Sequence, residues 1–192
     1  MNATSHRPRL GALAVLAVAL GAVAACPLPQ PLPGVTRIDG GTITPPRIAV
    51  ASAQPSDTII HYDETACGKT GTQGFTLGVS IVDQNTDELV DVRWFLDYAP
   101  NTPTVYTWGP EQSIPAPADP EQFTRALTPR TFNPVLEPFI VGLSPPHVVE
   151  VVVTNGVWAD TPLPSRSVAP GYEVEIFRWV FQPGPAGSGC GP

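Results

Sequence analysis

Positive charge is scarce in this chain. Lys69 is the only lysine, and Lys and Arg together number 10 against 17 acidic residues, which gives a formal net charge of −7. Nucleic-acid-binding proteins need a basic surface to neutralise phosphates, and peripheral membrane proteins need one for anionic lipid headgroups. The composition therefore argues against nucleic acid as a partner and against electrostatic binding to a membrane.

The motifs of common catalytic and metal sites are also missing. After the leader the histidines are His61 and His147, and two histidines without an available cysteine cannot make an obvious zinc cluster. No Gly-x-Ser-x-Gly elbow is present, and Gly68-Lys69-Thr70-Gly71 lacks the spacing of a phosphate-binding loop. Glu173 and Glu175 alternate along one predicted strand, which is typical of a solvated face. We expect no catalytic residue, no cofactor and no enzymatic activity.

Long helical patterns are absent because 25 prolines and 17 glycines interrupt the chain. Proline removes a backbone donor and clashes inside a helix. The best helical candidate, Glu111–Leu127, is broken by Pro115, Pro117 and Pro120. The chain after its first residues is therefore predicted to be all-β.

What the sequence does have is an apolar run after a short polar start. Residues 1–10 carry Arg7 and Arg9 as their charges, and a run of Leu, Ala, Val and Gly continues to Ala25. This is the plan of a secretory signal. The run of about 16 residues is shorter than the roughly 20 that a permanent membrane helix needs. We predict a signal peptide over residues 1–25.

The end of this run, Val23-Ala24-Ala25-Cys26, resembles the lipobox of bacterial lipoproteins. In that family the cysteine thiol takes a diacylglycerol, the chain is cut before it, and the new amino terminus is acylated. The resemblance implies that Cys26 is lipidated and anchors the protein in the bacterial cell envelope, on the periplasmic side or the cell surface. The alternative is an ordinary signal peptide that is cut after Ala25 and leaves Cys26 a free thiol.

Proline-rich sequence follows Cys26. Residues 26–33 alternate proline with other residues, and such sequence forms an extended, semi-rigid spacer. We predict a tether over residues 26–46 and one domain over residues 47–192, which ends in a flexible C-terminal tail. The chain without its leader has about 167 residues, enough for one domain with a core.

Short β-prone segments separated by turn signals fill this domain. The predicted strands are Arg47–Val50, Thr58–Tyr62, Phe75–Val82, Leu89–Tyr98, Val148–Thr154 and Tyr172–Phe181. The short polar connection between the third and fourth strands predicts that they pair antiparallel. In the last strand the alternation slips at Ile176-Phe177, which requires a β-bulge or two covered faces.

Two features resemble immunoglobulin-like domains. Trp94 lies in mid-strand, where these folds place a core Trp, and the segment from Leu143 through His147 to Asn155-Gly156 resembles the start of the penultimate strand in bacterial immunoglobulin-like and fibronectin type III domains. The resemblance covers roughly residues 75–181 and implies an antiparallel β-sandwich of about 7–8 strands. The chain lacks the inter-sheet cysteine pair and the usual corner Tyr, and His147 lies near the position of that Tyr.

The resemblance also bears on the two remaining cysteines. In such sandwiches the first strand can pair in parallel with the last, so both finish at the same end. Cys67 follows the first good strand and Cys190 follows the last. An even pair in an oxidising compartment indicates a disulfide. We predict Cys67–Cys190, with two free thiols as the alternative.

The turn Asp83-x-Asn85-x-Asp87 is a weak candidate for a calcium site. Oxygen ligands at alternate positions suit this hard cation. The pattern departs from the helix-loop-helix calcium motif, because Glu88 replaces its Gly and Trp94 replaces its final Glu. The simpler interpretation is a solvated turn.

Aromatic residues in predicted loops are candidates for a ligand platform. Tyr106, Trp108 and Trp158 could stack on sugars or peptides, since flat rings bind such ligands. The alternative is that they close the ends of the sandwich.

These features together predict a non-catalytic envelope lipoprotein with a structural or protein-interaction role. Its expected partners are the membrane, through the lipid anchor, and envelope proteins or glycans. A carbohydrate-binding module that uses the loop aromatics is the alternative, and a hydrolase is a weaker one.

Overall fold

Two β-sheets make up most of the structure, a computed structural model that describes residues 35–36, 42–99, 107–119, 121–140, 142–159 and 164–191. The signal peptide, Cys26, most of the tether and Tyr106 lie outside the described residues. The elements in chain order are β1 (Val35–Thr36), β2 (Thr42–Ile43), β3 (Arg47–Gln54), β4 (Ile59–Tyr62), α1 (Glu64–Cys67), β5 (Phe75–Val82), β6 (Val90–Leu96), β7 (Gln112–Ile114), β8 (Thr124–Ala126), β9 (Arg130–Phe132), β10 (His147–Thr154) and β11 (Glu175–Pro183).

The larger sheet has five strands in the order β4-β11-β10-β6-β7. Its pairs are antiparallel except β4 with β11, which is parallel and sets Tyr62 opposite Pro183. In the smaller sheet β5 lies between β3 and β8, and it also pairs with β9. The all-β prediction is confirmed, and so is the parallel pairing of the first good strand with the last.

The predicted pairing of Phe75–Val82 with the next strand is wrong. Phe75–Val82 has the predicted bounds as β5, but it belongs to the smaller sheet whereas β6 belongs to the larger one. The turn between them crosses from one sheet to the other. The physical reason is that each strand has one strongly apolar face. The two strands bury these faces in one core cluster from opposite sheets, so they do not pair side by side in one sheet.

Aromatic rings fill the core between the sheets. Trp94 and Trp179 stack with their ring centroids 6.0 Å apart, and Phe75 of the smaller sheet lies 5.3 Å from Phe181 of the larger one. Large rings bury much apolar surface, which is the main favourable contribution to folding. Trp94 therefore occupies the core position that the sequence predicts.

The slip of alternation in the last strand does not produce a bulge. β11 pairs with β10 without a register shift from Glu175 to Phe181. Of one alternating pattern, Tyr172, Val174 and Ile176, only Ile176 lies within the strand, which therefore carries mainly the second pattern. That pattern, Phe177, Trp179 and Phe181, is buried in the core.

The two ends of the domain are distinct. We call the end at Arg47, Val82 and Thr154 the proximal end, because the chain enters the domain there. The opposite end, at Tyr62 and His147, is the distal end. At the proximal end the carbonyl oxygen of Thr44 accepts hydrogen bonds from the side-chain amides of Asn85 and Asn155. These bonds fix the chain just before β3.

The distal end is closed by a disulfide between Cys67 and Cys190, whose Cα atoms lie 5.0 Å apart. Cys67 ends α1, a one-turn helix that the sequence did not predict. It begins where an Asp63 carboxylate oxygen accepts from the backbone N–H groups of Thr65 and Ala66. Within the described ranges no helix is long and apolar enough to span a membrane.

The C-terminal tail, expected to be flexible, is held at the distal end. Gly187 donates its backbone N–H to the Asp63 carboxylate over 2.8 Å, and Asp63 donates its own N–H to the Gly189 carbonyl over 2.9 Å. The disulfide at Cys190 adds a covalent link. The tail therefore packs on α1 because the same aspartate that begins the helix also binds the tail.

Candidate functional site

Asp97 and His147 form a hydrogen-bonded pair at the distal end. Asp97 Oδ2 lies 2.8 Å from His147 Nδ1, and Asp97 Oδ1 accepts from the Val148 N–H over 2.6 Å. The φ of Asp97 is +47°, a left-handed conformation that is uncommon outside glycine. Its backbone N–H donates to the Val148 carbonyl. These bonds hold both the strained backbone and the imidazole in one orientation.

A cavity of about 320 Å³ lies beside this pair, and we call it the distal cavity. Its polar lining residues are Tyr62, Glu64 and His147, and its apolar lining comes from the segment 134–145. Tyr62 and His147 are buried, each with 2% of its surface exposed. The cavity therefore combines polar groups with apolar walls, as small-ligand sites do.

The charge state of Tyr62 follows from its surroundings. Burial, and to a smaller extent the Glu64 carboxylate, raise the pKa of the Tyr62 hydroxyl above its ordinary value of 10.0. Tyr62 therefore contributes a neutral hydroxyl at physiological pH. The carboxylate of Glu64 is the charged group of the cavity lining.

Three apolar side chains beside the distal cavity are exposed. Leu136, Phe139 and Leu143 expose 44%, 48% and 57% of their surface, and we call them the distal apolar residues. Their segment is fixed from inside, because the buried Asn133 donates to the Cys67 carbonyl and accepts from the Val135 and Leu136 N–H groups. Further along, the N–H groups of Ile140 and Leu143 donate to the carbonyl oxygens of Glu137 and Ile140, so backbone hydrogen bonds accompany each of these exposed side chains.

The weak calcium prediction at Asp83, Asn85 and Asp87 does not fit the structure. Asp83 is buried, with Oδ2 2.8 Å from an Arg125 guanidinium nitrogen and Oδ1 accepting from the Asn85 N–H. Burial raises the pKa of Asp83, although Arg125 acts in the opposite direction. The Asn85 side chain donates to Thr44. The described residues contain no group of three or more His, Cys, Asp or Glu that suits a metal ion.

The structure does not bring the predicted aromatic platform together. Trp108 is buried and packs edge-on against Trp94 and Phe132, with centroids 5.8 and 5.5 Å away. Trp108 is a core residue. Its ring packs inward between the sheets and leaves no face for a sugar. Tyr106 lies outside the described residues.

Trp158 has a different environment. Its indole N–H donates to Glu111 over 3.0 Å, and the Arg93 guanidinium lies 4.3 Å from its ring centroid. Arg93 also pairs with Glu111 over 2.7 Å. Trp158 thus packs on the outer face of the larger sheet within a charged network, and its role in ligand binding stays a prediction.

Sequence reasoning missed a second charged network on that face. Glu150 is buried in the middle of β10 and pairs with Arg166 and Arg178, while the Arg166 guanidinium lies 4.0 Å from the Tyr98 ring centroid. A signal was present, since Glu150 interrupts a run of five valines. A buried charge requires partners, and the loop that carries Arg166 supplies one of them.

Comparison with known proteins gives no relative for this chain. No family model, curated protein or solved structure matches it. The chemistry and position of the sites are therefore the evidence for function, because one fold can host many functions.

Proposed function

We propose that this protein is a non-catalytic lipoprotein of the bacterial cell envelope, in which an immunoglobulin-like domain binds a protein partner with its distal end. One observation carries the proposal. The chain enters the domain at the proximal end, whereas the distal apolar residues are exposed at the opposite end. Exposed apolar side chains also occur at the proximal end, at Val82, Leu89 and Phe123, but the distal apolar residues lie on the side away from the point where the chain enters.

The immunoglobulin-like assignment is supported by topology. In such sandwiches the first strand can leave the smaller sheet and pair in parallel with the last, and β3 and β4 follow this course. Trp94 packs in the core from a strand next to the penultimate one, β10. The larger sheet also agrees with this fold, because it contains the last two strands and the middle strand β6, with β4 and β7 added at its two edges.

The anchor is supported by sequence alone. The lipobox resemblance at Cys26 and the proline-rich stretch after it describe a lipid-anchored domain on a spacer. Strands of eight residues such as β5 and β10 span about 25 Å, so the distal end lies roughly that far from the point where the tether joins.

The distal apolar residues suit protein binding better than glycan binding. Binding a partner costs less when the surface is already ordered, and the Asn133 hydrogen bonds order the start of this segment, at Val135 and Leu136, beforehand. For the carbohydrate alternative, Trp108 is buried in the core and cannot bind a sugar. Among the described residues, Trp158 is the remaining candidate of the predicted platform. A hydrolase would need a nucleophilic side chain hydrogen-bonded to His147. In the described part of the chain, the imidazole of His147 hydrogen-bonds to Asp97 alone.

The partner can be tested by photo-crosslinking in intact cells. A photo-reactive amino acid at Phe139 is expected to give one discrete crosslinked band. The same amino acid at Val157, which is 66% exposed and follows Gly156 at the proximal end, is expected to give none. Equal crosslinking from both positions, or none from Phe139, would overturn the interaction role.

The anchor needs a separate measurement. Radioactive fatty acid is expected to label the wild-type protein and not the Cys26→Ala variant, and the variant is expected to leave the membrane fraction. A variant that remains labelled and membrane-bound would show that Cys26 is not the site of lipidation. The result does not depend on whether a partner is found.

A further inference from the structure

The distal cavity offers hydrogen-bond acceptors to a ligand. His147 Nδ1 is held 2.8 Å from Asp97 Oδ2. When Nδ1 carries the proton and donates it to this carboxylate, Nε2 keeps its lone pair and is an acceptor. Glu64 adds a carboxylate, and the Tyr62 hydroxyl can accept as well. The lining therefore suits a ligand that is rich in donors.

The charge of the lining has one sign. Glu64 contributes a negative charge, and no Lys or Arg is among the described residues that line the cavity. The whole chain is acidic, with a net charge of −7. A cation is attracted by this potential and an anion is repelled. Tyr62 is also among the lining residues, and an aromatic ring attracts a cation more than a neutral group.

The size and walls of the cavity limit the rest of the ligand. A volume of about 320 Å³ is at the small end of the range for ligand pockets. The apolar lining residues are Val135, Ile140 and Leu143 with two prolines. An apolar body of a few carbon atoms fits such walls, whereas a sugar would leave its hydroxyl groups without partners there.

We propose that the distal cavity binds a primary ammonium group carried on a short apolar chain, with Glu64 and His147 Nε2 accepting its N–H groups. The same chemistry occurs in a free alkylamine and in a lysine side chain presented by another molecule. The inference goes beyond the proposed function, because it requires neither the lipid anchor nor a protein partner.

The proposal is tested with three probes that share one apolar body. The full mature protein is titrated at pH 8 with n-butylammonium, 1-butanol and butyrate, and the NMR signals of His147 and Tyr62 are followed. We expect saturable shifts with butylammonium, at least about tenfold weaker binding of butanol, and no binding of butyrate. Three equal affinities, or no saturation by butylammonium up to about 50 mM, would overturn the proposal.

Two isosteric variants test the role of Glu64. Glu64→Gln is expected to weaken butylammonium binding at least about tenfold and to leave butanol binding unchanged. Glu137→Gln is the matched control, because it removes the same charge from a residue that lines a neighbouring cavity at this end. An unchanged affinity in Glu64→Gln, or an equal loss in both variants, would also overturn the proposal.

A competition experiment distinguishes the two sources of the ammonium group. A blocked Gly-Lys-Gly peptide that displaces butylammonium, when the matching Gly-norleucine-Gly peptide does not, supports a presented lysine side chain. Failure of both peptides, with butylammonium still bound, supports a free small amine. Equal displacement by both peptides would contradict recognition of the ammonium group.

Discussion

Arg125 and Asp83 form an ion pair that is almost completely removed from water. A guanidinium nitrogen lies 2.8 Å from Asp83 Oδ2, and the two side chains are 2% and 0% exposed. Arg125 also donates to the carbonyl oxygens of Glu88, Asn85 and Ile114. One side chain therefore joins β8, β7 and the turn that crosses between the sheets.

Removing Asp83 should strongly destabilise the domain. Asp83→Ala leaves the Arg125 charge buried without its counter-ion, and we expect a loss of about 3–5 kcal/mol in the free energy of unfolding. Urea denaturation measures this loss. Asp57→Ala, at an exposed aspartate, is the control and should stay within about 0.5 kcal/mol of the wild type. A loss of under about 1 kcal/mol in Asp83→Ala would contradict the role assigned to the pair.

Asp63 should make stability depend on acidic pH. Hydrogen bonds from the backbone N–H groups of Gly187, Ala66 and Thr65 lower the pKa of Asp63 below its ordinary value of 3.8. A carboxyl whose pKa is lower in the folded state stabilises that state above the ordinary value, and this contribution disappears as the pH falls through the lowered value. Asp63→Asn should therefore be less stable than the wild type at neutral pH.

The difference between Asp63→Asn and the wild type should shrink below about pH 4. Urea denaturation at pH 7 and at about pH 3 measures both free energies of unfolding. Asp57→Asn, which removes an exposed aspartate without these hydrogen bonds, should show no such change with pH. If the difference for Asp63→Asn is the same at both pH values, the carboxylate charge is not what stabilises α1 and the tail.

The Cys67–Cys190 disulfide should stabilise the domain and hold the tail. The two residues are 123 positions apart. Replacing both by Ala is expected to cost about 2–5 kcal/mol, mainly because the unfolded chain gains freedom. The amide of Asp63, which donates to Gly189, should also exchange with solvent faster. Alkylation of both thiols in the native protein without reductant would refute the disulfide.

Trp108 and Trp158 should respond differently to truncation. Trp108→Ala removes a buried ring that contacts Trp94 and Phe132, and we expect a loss of about 3–5 kcal/mol in the free energy of unfolding. Trp158→Ala removes a partly exposed ring and should cost under about 2 kcal/mol. A stable Trp108→Ala protein would contradict its place in the core. Loss of binding on a glycan array in Trp158→Ala alone would revive the carbohydrate alternative.

Local patterns were sufficient for the longer strands but not for β7 and β8, and the cysteine pair was predicted from the strand order of immunoglobulin-like sandwiches. The alternation of Phe75–Val82 fixes which side chains face inward, and the structure has that strand with those bounds. The same alternation says nothing about which strand lies beside it. The partner of β5 depends on where the apolar face of β6 is buried, and that face lies across the core.

The candidate site could not be predicted, because its parts are far apart in the sequence. Tyr62 is the last residue of β4 and His147 is the first residue of β10. The strands β4 and β10 both pair with β11 in the larger sheet. The helix α1 has four residues, too few for an apolar periodicity. The cavity forms only when the segment 134–145 covers this end of the sheet. That contact depends on tertiary packing, which local sequence patterns do not describe.

The attachment at Thr44 has a mechanical consequence. A pull on the tether would reach the domain there and run along β3, whose hydrogen bonds to β5 lie across that direction. Those bonds would be loaded together in shear instead of being opened one at a time. If β3 and β4 were stripped away, the load would meet the covalent Cys67–Cys190 link before any later strand. The domain would therefore resist force applied through the tether until β3 separates from β5.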